Sequence, residues 1–533
     1  DYLQSTFDIV KAAGDKTLTI NADRTIKLAQ RSIDGTTTSG KLDVALNPFR
    51  STASGNTGGA AILQGSDSVA AAIRSNGGTI AIGTSGTAAT GFGADISGIK
   101  DGIYLDNAVL DSRIAGDAGQ TGANITLNGR APTTTVAGAG VRIKGALANV
   151  RSGTGNLSIS GTVPGGSSSG QKDGVVIGED GSSRVTLATT SGAIAITGDA
   201  TSVGTSPSVT GASRYDGVVV SSAALIQSGS GAITVVGKGS GGDQSYLVEN
   251  HGIKLENAKT SIVSTSGAIS LYGSSGGKTS DTGGANSFGI YSAGDTMYIG
   301  SAPISAVSGG VIASGNIVLA ADSMQLINSS NLHLNVASSG ELRIHTETAA
   351  RDIAFGTTGG VDKLNLGSTW FNGATTSIFQ PGFTDVVFGH AASATSALAA
   401  PVVSSSTGTL TVGAATTLRD HAIFEMDGTG GAVKINSALT VKGSSGDAAR
   451  SLTLNTDAGA TGAGTIEVHS VQLLGSGDNV LTGANLVGKL AANIDGNLAF
   501  NNSQALAIDS VNAQDKTTAG ANTWFIGATP ERL

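Results

Sequence analysis

Two groups of closely spaced carboxylates are the first residues of this 533-residue chain that could do chemistry. Hydrolysis of a glycosidic bond requires two carboxyl groups that flank the scissile bond. The first aspartate of the first group precedes a glycine in a turn, where aspartate commonly binds nearby backbone amides. We therefore favour a turn residue at Asp101 and solvated strand-edge residues at Asp106 and Asp111, and keep a polysaccharide-cleaving site as the alternative. The two groups are Asp101 with Asp106 and Asp111, and Asp420 with Glu425 and Asp427.

Histidine and acidic residues offer a second chemistry, the binding of a metal ion. His333 and His345 lie twelve residues apart, with Glu341 and Glu347 close to them. A metal site needs ligands that converge from neighbouring strands, and the six histidines are scattered, which favours isolated surface or corner residues. The lack of cysteine excludes disulfides and thiolate sites. No phosphate-binding or dinucleotide-binding glycine motif occurs, so the sequence predicts no cofactor and no catalysis.

Five aromatic residues form a dense local cluster in a chain that has 2 Trp, 7 Tyr and 12 Phe. They fall within nineteen residues, and Pro381 and Gly382 interrupt them. Two interpretations are open. The rings fill the core where the chain is irregular, or they form a platform for a glycan or a partner protein, since aromatic residues often anchor interfaces. The five are Trp370, Phe371, Phe379, Phe383 and Phe388.

A second apolar group, Trp524, Phe525 and Ile526, lies near the C-terminal end of the sequence. Three consecutive apolar side chains are costly to leave in water, at roughly 25 cal/mol per Å² of apolar surface. Three outcomes are open for this tail. It folds back as a cap, continues into further repeats, or docks on another copy of the chain and joins molecules end to end.

The composition describes a chain that folds around a narrow core. Glycine occurs 80 times, charged residues make up only 13%, and aromatic residues only 4%, yet 39% of residues are apolar. A disordered chain would carry fewer aliphatic residues and more charge. The net charge of -8 without a basic cluster argues against a nucleic-acid partner. No apolar run reaches the roughly 18 residues that a membrane-spanning helix needs.

A repeated block occupies the middle of the chain. Each copy has a lead glycine, three short strands and a variable loop rich in Gly, Ser and Thr, and the lead glycines are 38, 34, 43, 35 and 37 residues apart. Constant strands with variable loops are typical of a solenoid whose insertions leave from one corner. The lead glycines are Gly102, Gly140, Gly174, Gly217, Gly252 and Gly289; the loops expected at that corner are Ala131–Gly138, Val163–Lys172 and Ala200–Tyr215.

The strands alternate between apolar and small or polar residues, as in Gly192–Gly198, where Ile194 and Ile196 share one face. A period of two marks strands with one buried face, and no segment sustains a helical period. Three strands per block predict one coil of an all-β, right-handed parallel β-helix with three sides and variable corner loops. Corner Gly, Asn and Asp residues are expected to supply positive φ angles. A sandwich or propeller of hairpins is the rival fold.

Three zones follow from how regular the repeats are: irregular coils in 1–95, regular repeats in 96–345, and looser coils with the tail in 346–533. No linker rich in Pro or charge separates them, so we expect one continuous stack of about 17 coils, on the order of 80 Å long. The predicted inward-facing residues are Ile103, Leu105, Ile125, Leu127, Val175, Ile177, Ile194, Ile196, Ile253 and Leu255.

Several segments resemble the large secreted exoproteins of the filamentous-haemagglutinin type. The likeness covers most of the chain and lies in SGKLDVALNPFRSTASGNTGGAAI from Ser39, SNGGTIAIG from Ser75, the repeated blocks, and VQLLGSGDNVLTGANLVGKL from Val471. The resemblance implies a right-handed parallel β-helix, secretion through an outer-membrane partner pore of a Gram-negative bacterium, and a role in adhesion, aggregation and biofilm. The secretion domain of such proteins is not evident, which implies an internal or C-terminal part of the shaft.

These features predict an extracellular, cell-surface structural protein without catalysis, a rigid β-helix that presents loops for attachment. The expected partners are cell-surface glycans or proteins, or other copies of the chain, with no nucleic acid and no membrane span. A subunit of an extracellular filament or sheath is one alternative, and a polysaccharide-degrading enzyme is another. A single face with convergent carboxylates would favour the enzyme, whereas uniformly polar faces would favour the adhesin.

Overall fold

The computed structural model describes residues 2–48, 59–83, 89–90, 100–131, 137–163, 171–179, 184–201, 215–240, 250–275, 287–326, 334–356, 363–374, 377–390, 405–443, 450–509, 511, 513–515 and 523–525. The chain forms two compact units, Asp1–Ile312 (unit 1) and Ala313–Leu533 (unit 2). Throughout the described ranges the regular structure is β-strand. The all-β class is therefore confirmed. The three zones 1–95, 96–345 and 346–533 stay a prediction.

Unit 1 has three parallel sheets, and each strand pairs with the strand three elements later along most of the unit. Each set of three strands is one coil, which confirms the three-sided parallel β-helix over the hairpin folds. Sheet 1 contains Tyr2–Ser5, Thr25–Ala29, Ala61–Gln64, Ile103–Asp106, Gly138–Lys144, Lys172–Ile177, Val218–Val220, Ile253–Glu256 and Ile290–Ala293. Sheet 2 contains Ile9–Val10, Ser32–Asp34, Ala71–Arg74, Ala108–Asp111, Asn149–Gly153, Thr186–Thr189, Leu225–Ser228, Ser261–Ser264 and Met297–Gly300. Sheet 3 contains Lys16–Asn21, Leu42–Asn47, Ile80–Ile82, Ala89–Thr90, Ile125–Arg130, Leu157–Thr162, Ile194–Asp199, Ile233–Lys238 and Ile269–Ser274.

The core of unit 1 consists of aliphatic ladders that run from coil to coil. Parallel register places like positions above one another, so each inward side chain packs on its counterpart in the next coil. All ten predicted inward-facing residues are buried, which confirms that part of the sequence analysis. One ladder in sheet 3 is Leu127, Ile159, Ile196, Val235 and Leu271.

The corner between sheets 1 and 2 contains several of the predicted positive φ angles. Asn107 has φ 48°, Gly145 91°, Gly178 79° and Asn257 67°. These residues directly follow the sheet 1 strands of their coils. Glycine and asparagine tolerate this left-handed conformation better than other residues, so their side-chain chemistry explains the turn.

The lead glycines serve a different purpose, which corrects the expectation of positive φ at their corner. None of the six has a positive φ. At Gly174, a Cβ atom would lie 2.5 Å from the carbonyl oxygen of Gly217 and 2.6 Å from the amide nitrogen of Asp199. The chain passes so close to its own backbone here that only glycine fits.

Unit 2 is also a stack of parallel strands. In its later coils the strands are long and keep one register. The strand Asn479–Asp495 pairs Val480 with Thr461, Val487 with Val468, and Ala492 with Leu473, a constant offset of nineteen residues. The strands are Ile317–Ala320, Met324–Gln325, Leu334–Ala337, Leu342–His345, Asp352–Phe355, Lys363–Leu366, Asp385–Gly389, Thr409–Val412, Thr416–Leu418, His421–Met426, Ala432–Ile435, Leu439–Val441, Ser451–Thr456, Ala460–Gly462, Ile466–Ser476, Asn479–Asp495, Leu498–Asn502, Ala507–Ile508, Ala513–Asp515 and Thr523–Phe525.

Candidate functional site: the loop-bearing corner and the polar clusters

The corner between sheets 3 and 1 of unit 1 is where the variable loops begin and end. Ala131, Val163 and Ala200 each follow a sheet 3 strand, and each donates its amide hydrogen to the next coil at 2.8 Å. These three residues and Tyr215 form one buried apolar cluster. Successive insertions therefore start from stacked positions at a single corner, as predicted. The loop bodies, 132–136, 164–170 and 202–214, lie outside the described residues.

Buried polar side chains lie beside these loop anchors, at the position before four of the six lead glycines: Asp101, Asp173, Asp216 and His251. Asp173 accepts a hydrogen bond from the amide of Asp216 at 3.1 Å, and Asp216 accepts one from the amide of His251 at 2.7 Å. His251 continues the pattern, since its Nδ1 accepts from the amide of Phe288 at 3.1 Å. Each side chain thus holds the backbone at the start of the following coil. Because these polar groups are buried, they need such hydrogen-bond partners.

His251 also stacks on an aromatic ring of the next coil. Its ring centre lies 4.2 Å from that of Tyr291, with the planes 6° apart. Because Nδ1 accepts a hydrogen bond, the neutral ring carries its proton on Nε2. His251 is therefore a structural residue of the corner, and this arrangement requires the neutral form.

The first predicted group of carboxylates is dispersed and paired. Asp101 is buried and binds the guanidinium of Arg142 at 3.1 Å, and attraction by Asp101 and Glu179 raises the pKa of Arg142 even though burial alone would lower it. Asp106 accepts from the hydroxyl of Tyr104 at 2.9 Å. Asp111 binds Arg113 through both of its oxygens. Asp101 precedes the sheet 1 strand of its coil, Asp106 ends that strand, and Asp111 ends the sheet 2 strand of the same coil. In these positions the three acids do not form the facing pair that glycoside hydrolysis needs.

The second group of carboxylates, in unit 2, consists of residues in different environments. Asp420 accepts the amide of Gly382 with both oxygens, at 3.0 and 3.1 Å. Burial raises its pKa, while this amide and Arg450 oppose the shift. Glu425 is fully buried against Arg343. Asp427 is half-buried and makes further polar contacts.

Arg343 is the centre of a buried ion network that the sequence analysis missed. Its guanidinium binds Glu341 at 3.1 Å and also contacts Glu425 and the carbonyl of Gly389. Burial alone would lower the pKa of Arg343, but the two glutamates raise it. The pairing of Arg343 with Glu425 crosses 82 residues, so only the register of the coils reveals it.

The histidine and acidic residues considered as metal ligands do not come together in the described part of the chain. His345 and His390 have their ring centres 4.9 Å apart, and Nδ1 of His345 donates to the carbonyl of Thr346 at 2.8 Å. Burial, with a smaller contribution from His390, lowers the pKa of His345 to about 3. No group of three or more potential ligands occurs among the described residues. His333 lies outside them.

Four of the five clustered aromatic residues lie in the core of unit 2. Phe371, Phe379, Phe383 and Phe388 are at most 3% exposed. Phe371 stacks on Phe379 at 4.5 Å, and Phe388 meets Phe355 edge to face at 4.8 Å. Trp370 is half-buried. The burial agrees with the interpretation of a stack that fills the core.

The C-terminal strands pair antiparallel, whereas the other described strands pair in parallel. Thr523–Phe525 pairs antiparallel with Ala513–Asp515, placing the backbone of Trp524 opposite Gln514. Ala513–Asp515 also lies beside Ser451–Thr456. Ile526 is outside the described residues. The proposed end contact of Trp524, Phe525 and Ile526 stays a prediction.

Comparisons with known proteins do not assign the chain to a group. No protein family, no curated protein and no solved structure matches it. Within the described ranges, no helix has the length and apolar character to cross a membrane.

Proposed function

We propose that this chain is an extracellular attachment protein, in which a β-helical scaffold presents variable loops and performs no catalysis. The observation that carries the proposal is the stack of loop anchors at one corner of unit 1, formed by Ala131, Val163, Ala200 and Tyr215. Loops that start one above another can form a contact surface without disturbing the core that holds them.

The character of the polar residues supports the same proposal. The buried acids at this corner bind backbone amides or Arg142, as Asp173 and Asp101 illustrate, so they stabilise the scaffold. The resemblance to filamentous-haemagglutinin-type exoproteins agrees with a secreted adhesin on the surface of a Gram-negative bacterium. Cell-surface glycans or proteins are the proposed partners.

The test replaces one loop at a time. Residues 203–213 are exchanged for a short Gly-Ser linker, and the same exchange is made at 165–169. Beads coated with each variant are then assayed for attachment to immobilised glycans and matrix proteins. We expect one or both exchanges to reduce attachment while the thermal unfolding temperature stays unchanged. Full attachment by the double variant would contradict the role of this corner.

A further inference from the structure

The outer surface of unit 1 has a depression of about 300 Å³ near the ends of the sheet 2 strands. Such a volume is at the lower end of the range for small-ligand pockets. The lining residues are Thr36, Arg74, Asp111, Arg113, Ile114, Ala115, Gly116, Asp117 and Gln120.

Charged residues of four successive coils lie in a row in sheet 2, and two of them, Arg74 and Asp111, line the depression. The register of sheet 2 places Asp34, Arg74, Asp111 and Arg151 side by side in successive coils. Asp111, however, binds Arg113, with Nε to Oδ1 at 2.9 Å and Nη2 to Oδ2 at 2.6 Å. That bidentate pair satisfies Asp111 and leaves it little capacity for Arg74.

The other nearby acids, Asp34 and Asp117, accept hydrogen bonds from residues close to them in sequence. Oδ1 of Asp34 accepts the amide and the hydroxyl of Thr36, at 2.7 and 2.6 Å. Asp117 accepts the amides of Gly119 and Thr121 with its two oxygens. Their carboxylates are therefore held by local turns.

Arg74 is the exception among these charged residues. Its side chain is half-buried, and it has no hydrogen bond or ion pair within the described part of the molecule. A guanidinium has five N–H donors, and partial burial removes some of their hydration. Without a protein partner to replace that water, these donors favour an added acceptor. Burial lowers the pKa of Arg151, and the like charge of the nearby Arg113 lowers it further. The edge is thus suited to an added anion.

We propose that this depression binds a carboxylate-bearing saccharide of the uronate or sialate class, with Arg74 binding the carboxylate. This inference rests on the proposed attachment function and names its ligand class. Guanidinium groups match carboxylates in planar, bidentate geometry. The side-chain amide of Gln120 offers donors for sugar hydroxyls, and the hydroxyl of Thr36, whose hydrogen is donated to Asp34, offers an acceptor. Ile114, 40% exposed, offers an apolar contact for the ring.

The experiment measures binding of tri-galacturonate to the full chain by calorimetry, beside its methyl ester, which has the same rings without charge. Arg74→Gln removes the guanidinium and retains polarity, and Arg130→Gln, at an exposed position of sheet 3, is the matched control. We expect Arg74→Gln to weaken binding about tenfold or more. Its unfolding temperature should not change, because the Arg74 side chain has no hydrogen bond or ion pair with any described residue. Arg130→Gln should bind like the unaltered chain.

Three outcomes would overturn the inference. The first is equal affinity of Arg74→Gln and the unaltered chain, and the second is equal affinity for the ester. The third is displacement of the bound trisaccharide by acetate at a concentration similar to that of the trisaccharide. The last would mean a general carboxylate site instead of a saccharide site. The loop exchanges test the attachment function separately. Attachment that depends on the loops with unaltered binding by Arg74→Gln would leave the function standing and remove this ligand.

Discussion

The carboxylate of Asp216 accepts the backbone amide hydrogen of His251 at 2.7 Å, one coil further along the chain. Both residues are fully buried, and each precedes a lead glycine. The contact therefore joins successive coils through a side chain beside the corner from which the loops leave. It makes the stacking of that corner depend on residue type as well as on strand pairing.

Replacing Asp216 by alanine should destabilise unit 1, because the amide of His251 loses its buried acceptor. We expect a decrease of about 1–3 kcal/mol in the free energy of unfolding, measured by urea denaturation. Asp216→Asn keeps a carbonyl oxygen at the same place and should lose less. Equal losses for the two variants would show that the hydrogen bond to His251 is not what the side chain contributes.

A charge in the aliphatic ladder of sheet 3 should be severely destabilising. Ile196 is fully buried between Ile159 and Val235, so Ile196→Asp buries an unpaired carboxylate at a cost of roughly 3–5 kcal/mol. The neighbouring Thr197 points outward and is half-buried, and Thr197→Asp should change stability far less. An unchanged melting temperature for Ile196→Asp would show that the register is wrong.

Acid should weaken the fold of unit 2 through His345. The pKa of His345 in the folded chain is about 3, below the roughly 6.5 of an unfolded histidine. The unfolded state therefore takes up a proton first, and stability is lost as the pH falls from 6.5 towards 3, by up to about 1.4 kcal/mol per pH unit. Unfolding curves between pH 4 and 8 test this.

Two histidine variants separate this effect from general acid sensitivity. His345→Gln should flatten the pH dependence of stability between pH 4 and 6.5. His469→Gln removes an exposed histidine of the same unit and should leave the slope as it is. If His345→Gln retains the full slope, titration of other groups is responsible.

The chain should not cleave polysaccharides. Asp106 and Asp111 bind Tyr104 and Arg113, and Asp117, which lines the same depression as Asp111, accepts the amides of its own turn. Assays with acidic and neutral polysaccharides should show no turnover above buffer. Turnover that disappears in Asp106→Asn or Asp111→Asn would replace the attachment function with an enzymatic one.

Removal of the C-terminal segment should test how the tail is used. Deletion of Thr523–Leu533 removes the strand that pairs with Ala513–Asp515. We expect a soluble chain that melts at a lower temperature, because the remaining strand loses its partner. Light scattering and electron microscopy provide the second readout. Filaments that form with the full chain and vanish on deletion would instead favour end-to-end docking through Trp524, Phe525 and Ile526.

The repeat pattern predicted which residues face the core. Ile103, Leu127 and Ile196 follow from strict alternation within short strands, since a period of two places them on one face. The loop-bearing corner follows as well, because insertions vary in length while strands do not. The lead glycines were recognised, but their purpose was misjudged: Gly174 permits a close backbone approach, which no local pattern distinguishes from a positive φ.

By itself, therefore, the sequence determined the strands, the coils and the aliphatic ladders, all of which depend on local periodicity. Only the tertiary structure decided the polar partners. Arg343 meets Glu425 across 82 residues, while Asp111 binds Arg113 only two residues away and not its register neighbour Arg74. The physical reason is that coil length varies with each loop, so the residue that lies above a given side chain has no fixed distance in sequence.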